Sequence, residues 1–400
     1  LTASGSNFRV GPVNFYRAIQ NKTPESIAIA AALTFMGARA DTWPEERLAG
    51  MAVFFSQVGY KPTSEWKEEN VFWDPLGVTT AAGNTAPGQA ASLAPRKPAE
   101  GEDGESAEAD DGPVELKPLE AVFPDGTKIT LSPDQDPREV FADWLIRPEN
   151  PWFTRSIVNR VWAWVLGRGI VHEPDDIRDD NPPSSRELIE YLEKELTANK
   201  YDLRHLYGMI VPSERDQFSS MPRFNREEAA ANFASYPLRR LDAEVLIDAI
   251  NSITGTTDLY TSPIPEPFTY IPRDMPAIGV ADGSITSPFL ALFGRSARAT
   301  GMENERNNKP VPPQWLHMLN SSHIQSKLET SPKLRAIFSS GGKPDKIVEA
   351  FYLTILSRRP TAEEVEVALD YGASRTRKSR NDTVDIIWSL ISSTEFLYRH

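Results

Sequence analysis

The stretch Asn159–Ser185, NRVWAWVLGRGIVHEPDDIRDDNPPSS, places a tryptophan-rich segment before a Gly-Arg-Gly sequence and a run of aspartates. Apolar side chains recur at helical spacing just before this stretch and in its first part, which predicts a core helix. These residues are Phe153, Ile157, Val161 and Val165. Gly167 and Gly169 follow as the glycines expected at the end of a helix. Ser184 and Glu187 form a capping box, so the stretch predicts a helix, a polar loop and a second helix.

Four aspartates and one asparagine in the predicted loop supply the oxygen atoms that Ca²⁺ takes as ligands. They are Asp175, Asp176, Asp179, Asp180 and Asn181. The alternating acids and the central glycine of an EF-hand are missing, so the spacing alone does not decide for a metal. The same residues also suit local structure, in which Asp175 or Asp176 caps backbone amides and Ser184 caps the next helix. A calcium site and structural capping both stay open.

Outward from this stretch, the chain predicts a mainly α fold in three parts. Residues 1–76 contain two helical patterns and are expected to be helical, a part that the resemblance described below implies to be the C-terminal remnant of a companion domain. Residues 77–118 are rich in Ala, Gly, Pro and acids, which predicts a disordered acidic linker of low complexity. Residues 119–400 predict a small β-hairpin followed by a multi-helix C-terminal domain.

Turn and cap residues mark the ends of several predicted elements. Glu120–Ser132 carries a Pro-Asp-Gly turn between two alternating segments, which predicts the hairpin. Thr23 is the expected N-cap of the first helical pattern, and Gly255 is the expected C-cap of a later one. Thr361 and Glu364 form a second capping box.

Composition excludes several classes of function. The net charge is −13, of which Glu100–Glu115 supplies eight acids without a base, and no concentrated basic surface suggests nucleic-acid binding. Cysteine is absent, which excludes disulfides, zinc thiolate sites and covalently attached haem. No segment reaches the roughly 20 apolar residues that span a bilayer. The start at Leu1, without methionine, predicts a fragment with any signal peptide upstream.

A polar segment, FGRSARATGMENERNNKP, is the second candidate site. Its arginines predict either a buried ion-pair network or a surface that faces a ligand. Two carboxylates at alternate positions are weak candidates for the acid and the base of glycoside hydrolysis, which needs a separation of roughly 5–9.5 Å. The candidate ligand-binding residues are Arg295, Arg298 and Arg306, and the candidate catalytic residues are Glu303 and Glu305.

The tryptophans and histidines carry weaker signals. Trp162 and Trp164 are expected in the core because their segment is helical, and Trp152 is a better candidate for stacking on a sugar. His317 and His323 flank the sequence MLNSS, and their spacing fits neither a helical nor a strand metal pair. His317 is included among the candidate ligand-binding residues.

Five motifs in order identify a resemblance to a known family. They are NPWFTRSIVNRVWAWVLGRGIVHEPDDIRDDNPPSSRELIEYLEKEL, YPLRRLDAEVLIDAI, FGRSARATGMENERNNKP, QWLHMLNSSHI and FYLTILSRRPTAEE. The chain from about Asp136 to His400 resembles domain of unknown function 1553, a family of planctomycete-type extracytoplasmic proteins. The region before the linker resembles the C-terminal part of its companion, domain of unknown function 1549, the cytochrome-associated planctomycete domain.

The resemblance implies a compartment but no reaction. Relatives begin with export signals, which implies a periplasmic, secreted or cell-surface location. Many relatives of the N-terminal part carry a haem-type Cys-x-x-Cys-His, whereas this chain continues from FMGARA into DTWPEERLAGM. The resemblance therefore implies no covalent haem here, and it supplies no catalytic residue.

Three functions from different classes remain as hypotheses. The first is an extracytoplasmic binding or scaffold module without a recognisable catalytic constellation, whose partner is an extracellular glycan or another surface protein. The alternative is a hydrolase or lyase that acts on extracellular glycans through Glu303, Glu305 and the acidic loop Asp175–Asn181. Electron transfer is the least supported, because the haem-attachment cysteines are missing. The sequence leaves open whether the chain is an enzyme. Ca²⁺ is the candidate cofactor.

Overall fold

The computed structural model describes two compact units. The described residues are 1–6, 10–17, 19, 21–64, 68–77, 118–214, 218–221, 229, 231–261, 270–280, 285, 287–295, 306–307, 309–374 and 380–399. The predicted acidic linker lies outside these residues, apart from its first and last positions. The first unit contains residues 1–163 and 169–208, and the second contains residues 164–168 and 209–400.

The first unit combines helices with two small antiparallel sheets. Its helices are α1 (Asn14–Arg17), α2 (Pro24–Ala31), α3 (Glu45–Ala52), α4 (Pro137–Leu145), α5 (Pro151–Leu166), α6 (Arg186–Ala198) and α7 (Leu203–Ile210), the last residues of α5 and α7 belonging to the second unit. A π-helix, Ala32–Met36, continues α2. Its strands are β1 (Gly5–Ser6), β2 (Val58–Pro62), β3 (Glu69–Trp73), β4 (Leu119–Val122) and β5 (Lys128–Leu131). They form a sheet of order β1-β3-β2 and a β4-β5 hairpin.

The second unit is almost entirely helical. Its helices are α8 (Ala243–Thr254), α9 (Pro288–Leu292), α10 (Pro312–Asn320), α11 (Ser322–Thr330), α12 (Pro332–Phe338), α13 (Pro344–Ile355), α14 (Ala362–Ser374), α15 (Arg380–Ile391) and α16 (Thr394–Leu397). Strands β6 (Arg239–Arg240) and β7 (Tyr398–Arg399) pair antiparallel. Within the described part of the chain, no helix is both long and apolar enough to cross a membrane.

An aromatic cluster forms the core of the first unit. Phe54 stacks on Phe123 of the hairpin with ring centroids 4.7 Å apart, and Phe123 stacks on Trp144 of α4 at 4.9 Å. Phe141 packs against all three rings and is fully buried. Each such pair contributes about 0.5–1.5 kcal/mol beyond the area that it buries. The hairpin thus shares its core with the N-terminal helices, and the predicted boundary at residue 119 falls inside this unit.

Helix α8 is central to the second unit. Leu246, Ile247, Ile250 and Ile253 are buried at helical spacing. The helix packs against α9, α11 and α12. Gly255 ends it in the left-handed region, with φ of 68°, a conformation that glycine adopts without the steric strain of a side chain. The core of this unit is therefore organised around one helix whose end was predicted from the sequence.

Most of the predicted elements are confirmed. The described structure is mainly α, with only short antiparallel strands. The hairpin forms with Leu119–Val122 paired to Lys128–Leu131. Thr23 caps α2 by accepting a hydrogen bond from the Ser26 amide. The capping box at the start of α14 also forms, because Thr361 and Glu364 each accept the other's backbone N–H.

Two expectations are wrong. Ser184 does not cap α6; its backbone N–H bonds to the Ile170 carbonyl at 2.8 Å, which keeps it in the loop, and Ser185 caps the Leu188 amide instead. Trp164 is not a core residue, since 44% of it is exposed, whereas Trp162 is 4% exposed. Two residues along an α-helix turn by about 200°, so these two tryptophans point to opposite sides of α5.

The cap assignment predicts different outcomes for two neighbouring substitutions. Ser185→Ala removes the oxygen that accepts the Leu188 amide, so we expect the free energy of unfolding to fall by about 1 kcal/mol. Ser184→Ala removes an exposed hydroxyl and keeps the backbone bond to Ile170, so we expect a change within about 0.5 kcal/mol. Urea unfolding of both variants measures the difference. A larger loss for Ser184→Ala would contradict the assignment.

Candidate functional site

Asp175, the first of the predicted calcium ligands, lies in a buried ion pair. Arg160 of α5 donates from Nε to Asp175 Oδ1 at 2.6 Å, and only 4% of the Asp175 side chain is exposed. The same guanidinium donates to the carbonyl oxygens of Leu33 and Thr34 in the π-helix. Arginine offers five N–H donors in a planar fork, so one side chain binds a carboxylate and two carbonyls together. Asp175 therefore helps to hold the acidic loop and the π-helix on α5.

The residue before Arg160 fastens the same loop. The Asn159 side chain donates to the carbonyls of Val171 and Pro174 and accepts from the Val171 amide at 2.9 Å. Asn159 is completely buried. A Cβ atom on Gly169 would lie 2.3 Å from the Val171 carbonyl oxygen and 3.0 Å from the Asn159 amide group. Glycine is therefore required at position 169 for the loop to reach the Asn159 side chain.

The other predicted calcium ligands lie apart from this pair. Asp176 and Asp180 each contact the Arg178 guanidinium, at 3.2 and 3.3 Å, and Asp179 is exposed. The Asn181 side chain donates to two carbonyls of the loop. Among the described residues, no group of three or more His, Cys, Asp or Glu side chains is arranged to hold a metal ion. The calcium site stays a prediction.

The predicted polar segment is anchored by a buried carboxylate. Glu244 of α8 accepts two hydrogen bonds from Arg306, at 2.8 and 2.9 Å, and lies 3.3 Å from Arg295 Nε. Burial alone would raise the pKa of Glu244, but the hydrogen bonds from Arg306 outweigh it and the pKa is lowered. Arg295 and Arg306 thus both belong to an ion-pair network. Three predicted residues lie outside the described part of the chain, namely Arg298, Glu303 and Glu305.

Trp152 lies at the first turn of α5, partly buried. Its indole ring is 5.7 Å from the Trp144 ring and packs against the aromatic core, and its role in stacking on a sugar stays a prediction. Its backbone N–H donates to the Asn150 side chain. Asn150 also lines a cleft, so residues at the start of α5 contact the aromatic core and border a concave surface.

A polar cleft of about 450 Å³ lies between the first turn of α5 and helix α6. Its volume is in the range of about 300–1,000 Å³ that is typical of sites for small ligands. The lining residues are Pro148, Asn150, Pro151, Thr154, Glu190, Glu193, Lys194, Thr197 and Ala198. We call this surface the α5–α6 cleft.

Two charged groups in the α5–α6 cleft have no counter-ion among the residues that the structure describes. Arg155 binds Glu193, and the Thr154 hydroxyl lies 3.1 Å from the Tyr201 hydroxyl. Glu190 and Lys194 are exposed, and the described residues provide neither of them with a hydrogen bond or an ion pair. An unpaired carboxylate and an unpaired ammonium group thus border the same concave surface.

A second group of ionisable side chains, the histidine cluster, lies in the second unit and comprises Asn251, Asp258, His317, His323 and Lys327. Asp258 Oδ1 accepts a hydrogen bond from His323 Nε2 at 2.8 Å. Asp258 Oδ2 accepts one from Asn251 at 3.1 Å and lies 3.0 Å from Lys327 Nζ. Burial alone would raise the pKa of Asp258, but the bonds from His323 and Lys327 lower it to about 2. Asp258 is therefore an ionised carboxylate that accepts hydrogen bonds only.

His317 has a different environment. Its ring centroid lies 5.9 Å from that of His323, and the Phe289 ring is 5.5 Å from His317 and 5.9 Å from His323. Its Nε2 atom is buried, and the described residues give it no hydrogen-bond partner. Burial, and after it the neighbouring His323, lower the pKa of His317, which favours the neutral imidazole.

Sequence reasoning found one member of the histidine cluster and missed the rest. Asp258 and His323 are 65 residues apart, so no local spacing relates them. Lys327 is four residues after His323 on α11, a spacing that brings helical side chains together, but that spacing is common. Glu190 and Lys194 are also four residues apart on one helix, α6. The described residues give neither of them an ion-pair or hydrogen-bond partner, a property that the spacing does not predict.

The low pKa of Asp258 predicts a pH dependence of stability. The folded-state pKa of about 2 is below the ordinary 3.8, so this carboxylate stabilises the fold above pH 3.8 and loses that effect as pH falls towards 2. We expect Asp258→Asn to lower the free energy of unfolding by about 2 kcal/mol more at pH 6 than at pH 2. Urea unfolding across this range measures it, with exposed Asp370→Asn as the control. An equal loss at both pH values would contradict the assignment.

The comparisons with known proteins identify a family without a function. No curated protein and no solved structure matches the chain. A family model, PSD1, described as Protein of unknown function (DUF1553), matches residues 137–371, more than half of the chain. The match confirms the part of the resemblance that concerns domain of unknown function 1553 over those residues. The chain belongs to this family, Protein of unknown function (DUF1553).

Proposed function

We propose that this chain is an extracytoplasmic binding module that holds a polyhydroxylated ligand, an extracellular glycan, in the α5–α6 cleft. The observation that carries the proposal is the unpaired Glu190 and Lys194 on one concave surface. The extracytoplasmic location rests on the resemblance to exported relatives. The glycan rests on the chemistry of the cleft.

The lining groups suit hydroxyl groups that both donate and accept. A carboxylate accepts only, an ammonium group donates only, and amide and hydroxyl side chains do both. Asn150 and Thr154 are 6% and 3% exposed, so they supply the most enclosed polar groups, while Glu190 and Lys194 lie at the exposed side. Asn150 and Thr154 already bond to Trp144, Trp152 and Tyr201, so a sugar hydroxyl would add to those bonds. Glu190 and Lys194 would supply an acceptor and a donor at the exposed side.

The cleft favours binding over two-carboxylate hydrolysis. Glycoside hydrolysis needs two carboxyl groups roughly 5–9.5 Å apart, one of them free to act as acid and the other as base or nucleophile. Glu190 and Glu193 both line the cleft, but Arg155 binds Glu193 and leaves Glu190 as the unpaired carboxylate there. The alternative hydrolase based on Glu303 and Glu305 concerns residues outside the described part of the chain.

A glycan array tests this proposal directly. We expect the wild-type chain to bind at least one glycan, and Glu190→Gln and Lys194→Met each to weaken that binding about tenfold or more, because hydrogen bonds to charged groups contribute about 1.5–3 kcal/mol. Glu139→Gln removes an exposed carboxylate of α4, which does not line the cleft, and should bind like the wild type.

Two outcomes would count against the proposal. If no glycan binds to the wild-type chain, the ligand class is wrong. If a glycan binds and both cleft variants bind it as tightly as Glu139→Gln does, the site is elsewhere. Circular dichroism of each variant shows whether the helices are intact before binding is compared.

A further inference from the structure

We infer that His317 and His323 together bind a divalent first-row transition-metal ion, with Asp258 orienting His323 from behind. This site lies in the second unit, is built from residues that the α5–α6 cleft does not use, and stands independently of the glycan proposal. The two imidazoles, the distance between them and the residues around them support this inference.

The hydrogen bond from His323 to Asp258 determines which nitrogen is available. Asp258 lies 3.0 Å from the Lys327 ammonium group, and a carboxylate accepts hydrogen bonds, so the proton of the 2.8 Å bond belongs to His323 Nε2. In the neutral imidazole the lone pair is then on Nδ1, and no described residue makes a hydrogen bond to that atom. Metal-binding histidines almost always donate their other ring N–H to a carboxylate or carbonyl, which fixes the tautomer and raises the basicity of the ligand. The Asp258–His323 pair has this arrangement.

His317 supplies the second nitrogen. Its Nε2 is buried and has no hydrogen-bond partner among the described residues, although buried polar atoms are nearly always paired. The apolar Phe289 ring lies 5.5 Å from the His317 ring, and the neutral imidazole is the form that ligates a metal. A bound ion would satisfy this otherwise unexplained atom.

The separation of the two rings fits one shared ion. A metal–nitrogen bond of about 2.0–2.1 Å places the centroids of two imidazoles on one ion roughly 5 to 6 Å apart. The centroids of His317 and His323 are 5.9 Å apart, with an angle of 61° between the ring planes.

The surroundings limit competition from water and from other charges. Phe289 is packed edge-to-face against both histidines, and Phe293 lies 6.0 Å from His317, so an apolar layer covers one side of the pair. Lys327 is the nearest cation of the cluster, and it lies at Oδ2 of Asp258 whereas His323 binds Oδ1. The carboxylate therefore stands between the ammonium group and the imidazole.

The ligand atoms select the class of metal. Imidazole nitrogens suit Zn²⁺, Ni²⁺ and Cu²⁺, whereas Ca²⁺ and Mg²⁺ take oxygen ligands. The proposed protein ligands are His317 and His323, and no group of three or more His, Cys, Asp or Glu side chains among the described residues is placed for a metal. The remaining coordination positions belong to solvent or to a small ligand, as in open sites.

The chain offers a matched control for this site. His205 also lies near a carboxylate, with 3.5 Å between its Nε2 and Glu195 Oε2, but no described histidine is paired with it. Isothermal titration should show one Zn²⁺ or Ni²⁺ ion bound per chain at the two histidines, and any heat with Ca²⁺ should be the same in the wild type and in the His317→Phe variant. His317→Phe and His323→Gln should each weaken Zn²⁺ binding at least tenfold, while His205→Gln should leave it unchanged.

The Asp258→Asn variant tests whether Asp258 orients His323 for the metal ion. Removing an orienting carboxylate is expected to weaken metal binding by about 10–100-fold while the two ligands remain. Electron paramagnetic resonance of the Cu²⁺-loaded wild type should show two equatorial imidazole nitrogens, and the His317→Phe variant one. Metal binding that persists in the His317→Phe, His323→Gln double variant would overturn the inference, as would its loss in His205→Gln or no Zn²⁺ binding by the folded wild type.

Discussion

The ion pair between Arg160 and Asp175 is the constraint on which the arrangement of the first unit depends. One guanidinium binds the carboxylate of the acidic loop, 15 residues further on, and two carbonyls of the π-helix, 126 and 127 residues away in sequence. Removing one partner of a buried ion pair costs about 3–5 kcal/mol, because the other charge is left uncompensated. Through this contact α5 is held in place, and its first turn forms one side of the α5–α6 cleft.

Arginines pair with three of the four aspartates that were predicted as calcium ligands, and with one further buried carboxylate. Arg160 binds Asp175, Arg178 contacts two further aspartates, and Arg306 holds Glu244. What distinguishes the candidate sites is the opposite property, a polar group that the described structure leaves without a partner. Glu190, Lys194 and the Nε2 atom of His317 have it. Of these three, the Nε2 atom of His317 is buried, where a polar atom without a partner is unfavourable, whereas Glu190 and Lys194 are exposed to solvent.

Local patterns were enough to predict the fold class but not the sites. Thr23, Gly255 and the pair Thr361 and Glu364 act within one turn of chain, so their roles were predicted correctly. The cap of α6 was wrong by one residue because a long-range bond to Ile170 holds Ser184 in the loop. Asp258 and His323 meet only through tertiary packing, which no spacing rule encodes.

The close packing at Gly169 restricts which residues relatives of this chain can carry at that position. Its place beside Asn159 and the Val171 carbonyl has no room for a methyl group, so the smallest substitution disturbs two backbone contacts at once. A family member with any other residue there must route this loop differently and release the asparagine. Gly169 is therefore a position at which one letter of a relative's sequence tells whether its acidic loop can share this path.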